Sequence, residues 1–272
     1  MKEFGVVSHF RPFGAIRSLL EIGCGNGFTA SLLSTKAKSA VAFDLPAKDP
    51  KSHSIGIAVT RRLLERLGIH NVDIVGGSAE ELPFADRSFD MIYSGYMLQY
   101  VRKKDRALQE MQRVLEPDGV VITIVPNFIE RVVTPVIKYE YVIKRACARL
   151  LALALRKAGA SGAPSTGGTP QGLGRALSDW LLLRPDGSYK SFMQELVRHT
   201  PYAWKGLFER NGFAVIDIFS TELLPLGVLD VLSAPVRRFA SRKSSCLSML
   251  FGNAPVIKWC GYSLCIVAKK KM

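Results

Sequence analysis

The stretch Ser18-Leu-Leu-Glu-Ile-Gly-Cys-Gly-Asn-Gly27 decides how the whole chain is read. Residues Ser18 to Ile22 form a short apolar run that halts in glycines at 23, 25 and 27, and Phe28 to Lys36 then has helical spacing. This predicts a strand, a glycine loop and a helix in direct succession. Glycines at such a junction let the backbone approach a ligand and turn helix N–H groups toward it, a device suited to nucleotides and carboxylates.

Working outward, the unit repeats. Ala40 to Leu45 is a second apolar run, and Ile55 to Leu67 has helical spacing with Gly68 placed as its C-cap. Val72 to Val75 predicts a third strand. Phe89 to Tyr93 follows as a fourth, after the loop Leu82-Pro-Phe-Ala-Asp-Arg-Ser88, and Asp105 to Leu115 as a helix. Glu116-Pro-Asp-Gly119 reads as a tight turn into Val120 to Val125, whose unbroken β-branched character is that of a strand buried on both faces. Strands alternating with helices of this length require an α/β, Rossmann-like, doubly wound and mainly parallel sheet, because parallel neighbours need a crossover helix between them.

Composition agrees with one folded unit carrying insertions. The 272 residues are 48% hydrophobic and 22% charged, which excludes a disordered tail, a collagen and a small disulfide scaffold. The five cysteines show no C-x-x-C spacing, so neither a zinc cluster nor a disulfide framework is indicated and a cytoplasmic protein is expected. His9, His53 and His70 have no metal-ligand spacing with an acid or cysteine, and no metal is predicted. Met1-Lys-Glu-Phe does not open a signal peptide, and the longest apolar runs fall short of the roughly 18 residues that span a bilayer. The formal charge of +14 favours an anionic partner.

The glycine spacing separates two cofactor classes. A dinucleotide fingerprint needs G-x-G-x-x-G, and Phe28 stands where its third glycine belongs, so nicotinamide binding is disfavoured even though Asp44 lies about where a ribose-binding acid would.

Leu20-Glu-Ile-Gly-Cys-Gly-Asn-Gly27 instead resembles the first motif of class I S-adenosylmethionine-dependent methyltransferases, in particular the broad group acting in quinone and sterol synthesis. Further blocks match in order: Asp44, Gly77-Ser-Ala-Glu-Glu-Leu-Pro-Phe84, Ser88-Phe-Asp-Met-Ile-Tyr93 with Met97-Leu98, and Arg113-Val-Leu-Glu-Pro-Asp-Gly119. The resemblance runs from about Ser18 to Asn127 and resumes at Tyr202 to Phe219, where Trp204-Lys-Gly-Leu-Phe-Glu-Arg-Asn-Gly-Phe213 looks like the helix before strand six. It implies a seven-stranded sheet whose last strand, Tyr262 to Ala268, is antiparallel.

It also implies a cofactor, S-adenosylmethionine with S-adenosylhomocysteine as product, and a set of residues to hold it. Bare N–H groups at Gly23, Gly25 and Gly27, in the loop that includes Cys24, would receive its carboxylate, and Glu21 its ammonium. Asp44 would accept both ribose hydroxyls, Ser78, Ala79 and Glu80 would flank the adenine, and Leu45 would cover a ring face. Family members commonly have Asp where Ser78 stands, so a hydroxyl or the backbone would meet the adenine amino group here. Methyl transfer is an in-line displacement whose chemical power lies in the cofactor, so the protein mainly positions the acceptor and excludes water. Tyr96, Gln99, Asn127 and His199 are the candidates to orient or deprotonate an acceptor hydroxyl. Binding at the carboxyl ends of the strands favours the first three, and His199 reads equally as a helix cap or solvated surface. Glu80 and Glu81 are read as binding residues, not an acid–base pair.

The acceptor is the least legible part. More than seventy residues separate strand five from the helix at Trp204, and they contain a basic and apolar amphipathic pattern over Val136 to Ala158 and a Gly, Pro, Ser and Thr-rich loop over Ser161 to Gly174. A second insertion combines Leu223-Leu-Pro-Leu-Gly-Val-Leu with Arg237, Arg238, Arg242 and Lys243. The predicted division is a core of residues 1–127, 200–220 and 260–272, a helical or flexible cap over 128–199, and a second insertion over 221–259. Such segments either pack on their own core or dock peripherally on an acidic inner membrane face and admit a small or lipid-linked, anionic substrate. Ser94-Gly-Tyr-Met97 stands where amino-methylases of DNA bases carry Asn/Asp-Pro-Pro-Tyr/Phe, which argues against DNA, while RNA methylation stays open. The favoured expectation is therefore a methyltransferase acting on a small-molecule or lipid-linked acceptor. The alternatives are a cofactor-binding partner protein without turnover, an RNA methyltransferase, and a nicotinamide oxidoreductase.

Overall fold

The computed structural model describes residues 16–46, 57–132, 189, 191–222 and 261–271. Their strands are β1 (Ile16–Ile22), β2 (Ala37–Asp44), β3 (Val72–Gly76), β4 (Phe89–Gly95), β5 (Leu115–Pro126), β6 (Phe213–Glu222) and β7 (Ser263–Lys270). The helices are α1 (Phe28–Leu33), α2 (Ile57–Leu67), α3 (Lys104–Val114), α4 (Phe192–Arg198) and α5 (Pro201–Arg210), with a 3-10 turn at Leu98–Tyr100. The expected amphipathic segment Val136–Ala158, the loop Ser161–Gly174 and the insertion 221–259 lie almost wholly outside the described residues.

The strands form one sheet in the order β3-β2-β1-β4-β5-β7-β6. β1 pairs in parallel with β2 and β4, and β7 runs antiparallel to both β5 and β6. This is the doubly wound sheet that the alternation of strands and helices predicts. Its central strands are apolar throughout because both faces are covered, with Leu20, Ile22, Ile92 and Val121 in one buried cluster and Leu19, Met91, Tyr93 and Ile122 in another. Trp204 and Phe208 of α5 join the first cluster and Leu33 of α1 the second.

Local chemistry explains where elements stop. α1 ends at Leu33, short of the predicted Lys36, because Ser31, Ser34 and Thr35 donate their hydroxyls to the carbonyls of Phe28, Ser31 and Leu32, competing with the helical ladder. α2 ends where expected. Gly68 has φ +63, its N–H donates to Glu65 O at 3.2 Å, and that of Ile69 donates to Leu64 O at 3.0 Å, the paired bonds of a Schellman cap. The predicted turn Glu116–Gly119 is a bulge inside β5, since pairing with β4 jumps from Phe89 opposite Leu115 to Met91 opposite Val120.

One buried acid is structural. Asp90 accepts the backbone N–H groups of Arg17 and Ser18 at 2.8 and 3.1 Å, which fixes the start of β1 against β4. The order places a topological switch point there: from β1 the chain runs outward to β2 and β3, then returns to β4 on the other side of β1. In open sheets of this kind ligands bind outside the carboxyl ends of the strands at that point.

Candidate functional site

A cleft of about 420 Å³ opens at the switch point, within the range of small-molecule sites. Its walls are the segments that follow four parallel strands: Gly23 and Gly25 after β1, Asp44 and Leu45 at the end of β2, Gly77 to Glu80 after β3, and Gly95, Tyr96 and Met97 after β4. Ile22, Phe43, Tyr100, Val101 and Arg102 complete it.

The glycine loop owes its shape to two close approaches. Gly23 sits at φ +85, and a Cβ there would lie 2.7 Å from Cβ of Met97. Gly27 sits at φ +79, and a Cβ would lie 2.7 Å from Cγ2 of Thr60. Gly25 is also left-handed, but a Cβ on it would meet nothing within 4 Å, so this residue borders open space in the cleft.

The expectation of bare N–H groups is corrected by the structure. Gly23 N–H donates to Phe43 O at 2.7 Å, Gly25 N–H to Asp44 Oδ2 at 2.8 Å and Gly27 N–H to Cys24 O at 2.8 Å. The reason is geometric: left-handed residues fold the loop back onto the end of β2, and its amides find partners there. The glycines therefore supply curvature and closeness, not free donors.

Asp44 is the centre of this arrangement. Its two oxygens accept from Gly25 N–H at 2.8 Å and Leu45 N–H at 2.7 Å, which aims the carboxylate across the mouth of the loop. A carboxylate oxygen has two lone pairs, so one that takes a backbone N–H can also take a hydroxyl. Ser78 Oγ accepts Glu80 N–H at 3.2 Å in a compact turn, and Gly77 N–H donates to Asp44 O at 2.9 Å, so the loop after β3 is tied to the end of β2.

Glu80 lines the cleft and accepts Lys103 N–H at 3.0 Å, while Glu81 is outside the lining. Glu21 is 3% exposed near the end of β1 and is not on the cleft wall. Cys24 turns into the core, its Sγ 3.4 Å from Thr60 Oγ1, and burial pushes its thiol up to about 12. Only the backbone of Cys24 is near the cleft residues on either side.

The acceptor-side candidates divide. Tyr96 lines the cleft at φ +53, a strained conformation for a bulky residue, and its hydroxyl is 2.6 Å from Ser263 Oγ of β7. Asn127 does not reach the cleft. Its amide donates to Gly261 O at 2.7 Å and accepts Phe128 N–H at 2.8 Å, so the side chain joins the end of β5 to the start of β7. Gln99 and His199 line a smaller recess beside the cleft, and His199 is 2% exposed at the C-cap of α4, not solvated. Its carbonyl accepts Phe128 N–H at 3.0 Å, which brings α4 against the carboxyl end of β5 and places a distant histidine where only the first three candidates were expected.

Two contributions escape sequence reading. Tyr100, Val101 and Arg102 reach the cleft only because the 3-10 turn carries the chain across it. Arg113 clamps the loop after β3: its guanidinium donates to Phe84 O, Leu82 O, Asp86 and Glu110, and that ion pair holds the Glu110 carboxyl below the usual range. The signal for Arg113 was its place in the block Arg113 to Gly119.

The comparisons with known proteins fall on this geometry. The family model described as a methyltransferase domain matches residues 20–123. Over these residues the chain carries a methyltransferase domain.

Among curated relatives, the domain is 37% identical over 113 residues to the ubiquinone/menaquinone biosynthesis C-methyltransferase of Legionella pneumophila, covering 42% of this chain and 43% of that protein. It is 36% identical over 100 residues to the chloroplastic 2-phytyl-1,4-β-naphthoquinone methyltransferase of Arabidopsis thaliana, covering 36% and 38%. The chain thus spans about two fifths of the length of the curated relatives it matches. An S-adenosylmethionine-dependent methyltransferase from Mesorhizobium loti superimposes with a TM-score of 0.53 at 15% identity, covering 99% of this chain and 98% of that one. Phosphoethanolamine N-methyltransferase 2 of Haemonchus contortus, solved with S-adenosylmethionine, gives 0.52 at 14% identity, covering 100% and 52%. These likenesses establish the fold.

Proposed function

We propose that the protein transfers a methyl group from S-adenosylmethionine to a small-molecule or lipid-linked acceptor. The observation that supports this most is the meeting, in one cleft at the switch point, of the curved glycine loop, the Asp44 carboxylate and the Ser78 to Glu80 loop. These groups fit the cofactor's chemistry: a diol for Asp44, an adenine edge for Ser78 and the Ala79 backbone, and apolar surface from Phe43, Leu45 and Met97.

When bound, the cofactor supplies a sulfonium methyl group as electrophile. The chain's own part is to hold and to exclude. Asp44 accepts hydroxyls while its bonds to Gly25 and Leu45 keep it from turning away. Met97, packed close to Gly23, is part of the cleft lining. Tyr96, pinned by Ser263, stands at the acceptor side of the switch point, where a residue held in a strained conformation is preorganised at no further ordering cost.

A quinol-type acceptor is the finer reading, supported by the named relatives and by the apolar and basic pattern of the two sequence insertions. The test is methyl transfer from labelled S-adenosylmethionine to 1,4-dihydroxynaphthalene, kept reduced, with 1,4-dimethoxynaphthalene as control. Label in the dihydroxy compound alone supports the reading. Label in neither compound, with transfer to another acceptor in a wider screen, favours a different acceptor class, and cofactor binding without transfer to any acceptor favours a partner protein.

A further inference from the structure

The recess beside the cofactor cleft has a volume of about 30 Å³, room for one or two water-sized groups, and Gln99, Tyr100, Pro126, Arg131, Tyr189 and His199 are on its walls. Tyr100 lines both spaces, so the recess adjoins the cleft on its acceptor side.

Among the described residues, neither Nδ1 nor Nε2 of His199 has a hydrogen-bond partner, and nor does Oε1 of Gln99, at 2% and 9% exposure. Buried polar atoms in folded proteins are nearly always paired, so three such atoms on the walls of one recess mark it as built to receive a polar group. The imidazole is also fixed in orientation. It stacks on Trp204 with centroids 5.8 Å apart and planes at 15°, and Tyr189 meets it edge-on at 5.2 Å and 87°. Trp204 is itself held by its indole N–H, which donates to Pro126 O at 3.2 Å.

The charges facing the ring narrow the chemistry. Arg131 is bonded to Glu195 at 2.9 Å, and the Lys104 ammonium donates to Gln99 O and Val101 O at 3.2 and 2.9 Å while lying over the Tyr189 ring. Glu130 is the other acid on the wall. Burial, followed by Arg131 and Lys104, pushes the His199 imidazole down to about 3, so at neutral pH it is uncharged and offers one N–H and one lone pair. An ammonium group would sit against two cations. A carboxylate would leave the ring lone pair and the Gln99 oxygen with no donor. A hydroxyl lying between the two side chains accepts the ring N–H and donates its one proton to the Gln99 oxygen, and cations nearby favour a hydroxyl oxygen that carries extra negative charge.

We propose that this recess is an acceptor subsite that takes one acidic hydroxyl, phenolic or enolic, between His199 and Gln99, with the body of the acceptor lying past Tyr100 toward the cofactor cleft. The proposal rests on the reading of the larger cleft as the methyl-donor site, and its role is to position the acceptor.

Because the chain has four histidines, ring nitrogens can be followed in protein labelled with ¹⁵N-histidine, the His199 signals being those lost in His199→Gln. Phenol is titrated with and without saturating S-adenosylhomocysteine, and benzene is the control without a hydroxyl. The expected result is a saturable shift of the His199 nitrogens with phenol, none with benzene, and little change at His9, His53 and His70. Gln99→Met, which keeps the reporter ring, is expected to weaken phenol binding at least about threefold. No response to phenol, or an equal one to benzene, overturns the proposal. Calorimetry of S-adenosylhomocysteine on the same samples judges the cofactor cleft separately, so a failed subsite and a failed donor site give different results.

Discussion

The two sides of the switch point are built in opposite ways. On the glycine-loop side, the N–H groups of Gly23, Cys24, Gly25 and Gly27 all have partners within the chain, and Asp44 accepts those of Gly25 and Leu45. On the side of the smaller recess, Gln99, Pro126, Tyr189 and His199 come from four separate segments, and the ring nitrogens of His199 and Oε1 of Gln99 are buried without partners among the described residues. The first side is a finished frame that tolerates little change. The second is a set of polar atoms whose hydrogen bonds are left for something else to complete.

If that contrast is right, the most damaging substitution lies in the frame. Gly23→Ala forces a left-handed alanine and sets its Cβ 2.7 Å from Met97, so about 3 kcal/mol of stability should be lost in urea unfolding. A change under about 1 kcal/mol would mean the loop gives way easily and the frame is soft.

Arg113→Met comes next. It removes the guanidinium from Leu82 O, Phe84 O and Asp86, and leaves the Glu110 carboxylate, 5% exposed, with the Leu82 N–H and the ion pair to Arg106 at 3.5 Å. Breaking a fully buried pair costs about 3–5 kcal/mol, and because Arg113 is 32% exposed, roughly 2 kcal/mol is expected from denaturant melts.

Asp44→Ala should raise the Kd for S-adenosylmethionine more than about tenfold, on the order of 1.4 kcal/mol, through lost hydroxyl bonds and a loosened Gly25. The smallest effect on cofactor binding is expected from His199→Gln, less than about twofold, because that residue belongs to the other side. Equal losses in the two variants would erase the distinction between the sides.

His199 sharpens the contrast further through pH. Its folded pKa of about 3 lies below the ordinary value near 6.5, so between those limits the unfolded chain binds the extra proton. Its neutral burial therefore favours the fold fully above about pH 6.5 and is lost progressively as pH falls toward 3. Melts of the wild type and His199→Gln across pH 4.5–6.5, above most carboxylate titration, should show a steeper acid loss in the wild type. Parallel curves would mean that the ring charges without penalty.

The same contrast explains what the sequence disclosed. The succession of strands and helices, the Gly68 cap and the position of Asp44 are consequences of local spacing, so they are legible from residues close together in the chain. The partners of the loop amides were not, because nothing in Gly23 to Gly27 states that Phe43 O and Asp44 would take them. Asn127 stands at the carboxyl end of β5, as a site residue should, yet its amide is consumed by Gly261, which lies far along the chain. His199 gains its place from the Phe128 and Trp204 contacts, which no periodicity encodes. The insertions that carry the charge excess have no apolar or basic register with the core pattern, and the acceptor is correspondingly the least determined feature. No helix among the described residues is long and apolar enough to cross a membrane.

The central claim is that the switch-point cleft is an S-adenosylmethionine site centred on Asp44. Calorimetric titration of the wild type and Asp44→Ala with S-adenosylmethionine, S-adenosylhomocysteine and NADH tests it most directly. The account predicts micromolar binding of both adenosyl ligands to the wild type, at least about tenfold weaker binding to the variant, and no heat from NADH. Binding of NADH in their place, or adenosyl affinity unchanged by the loss of Asp44, would contradict it.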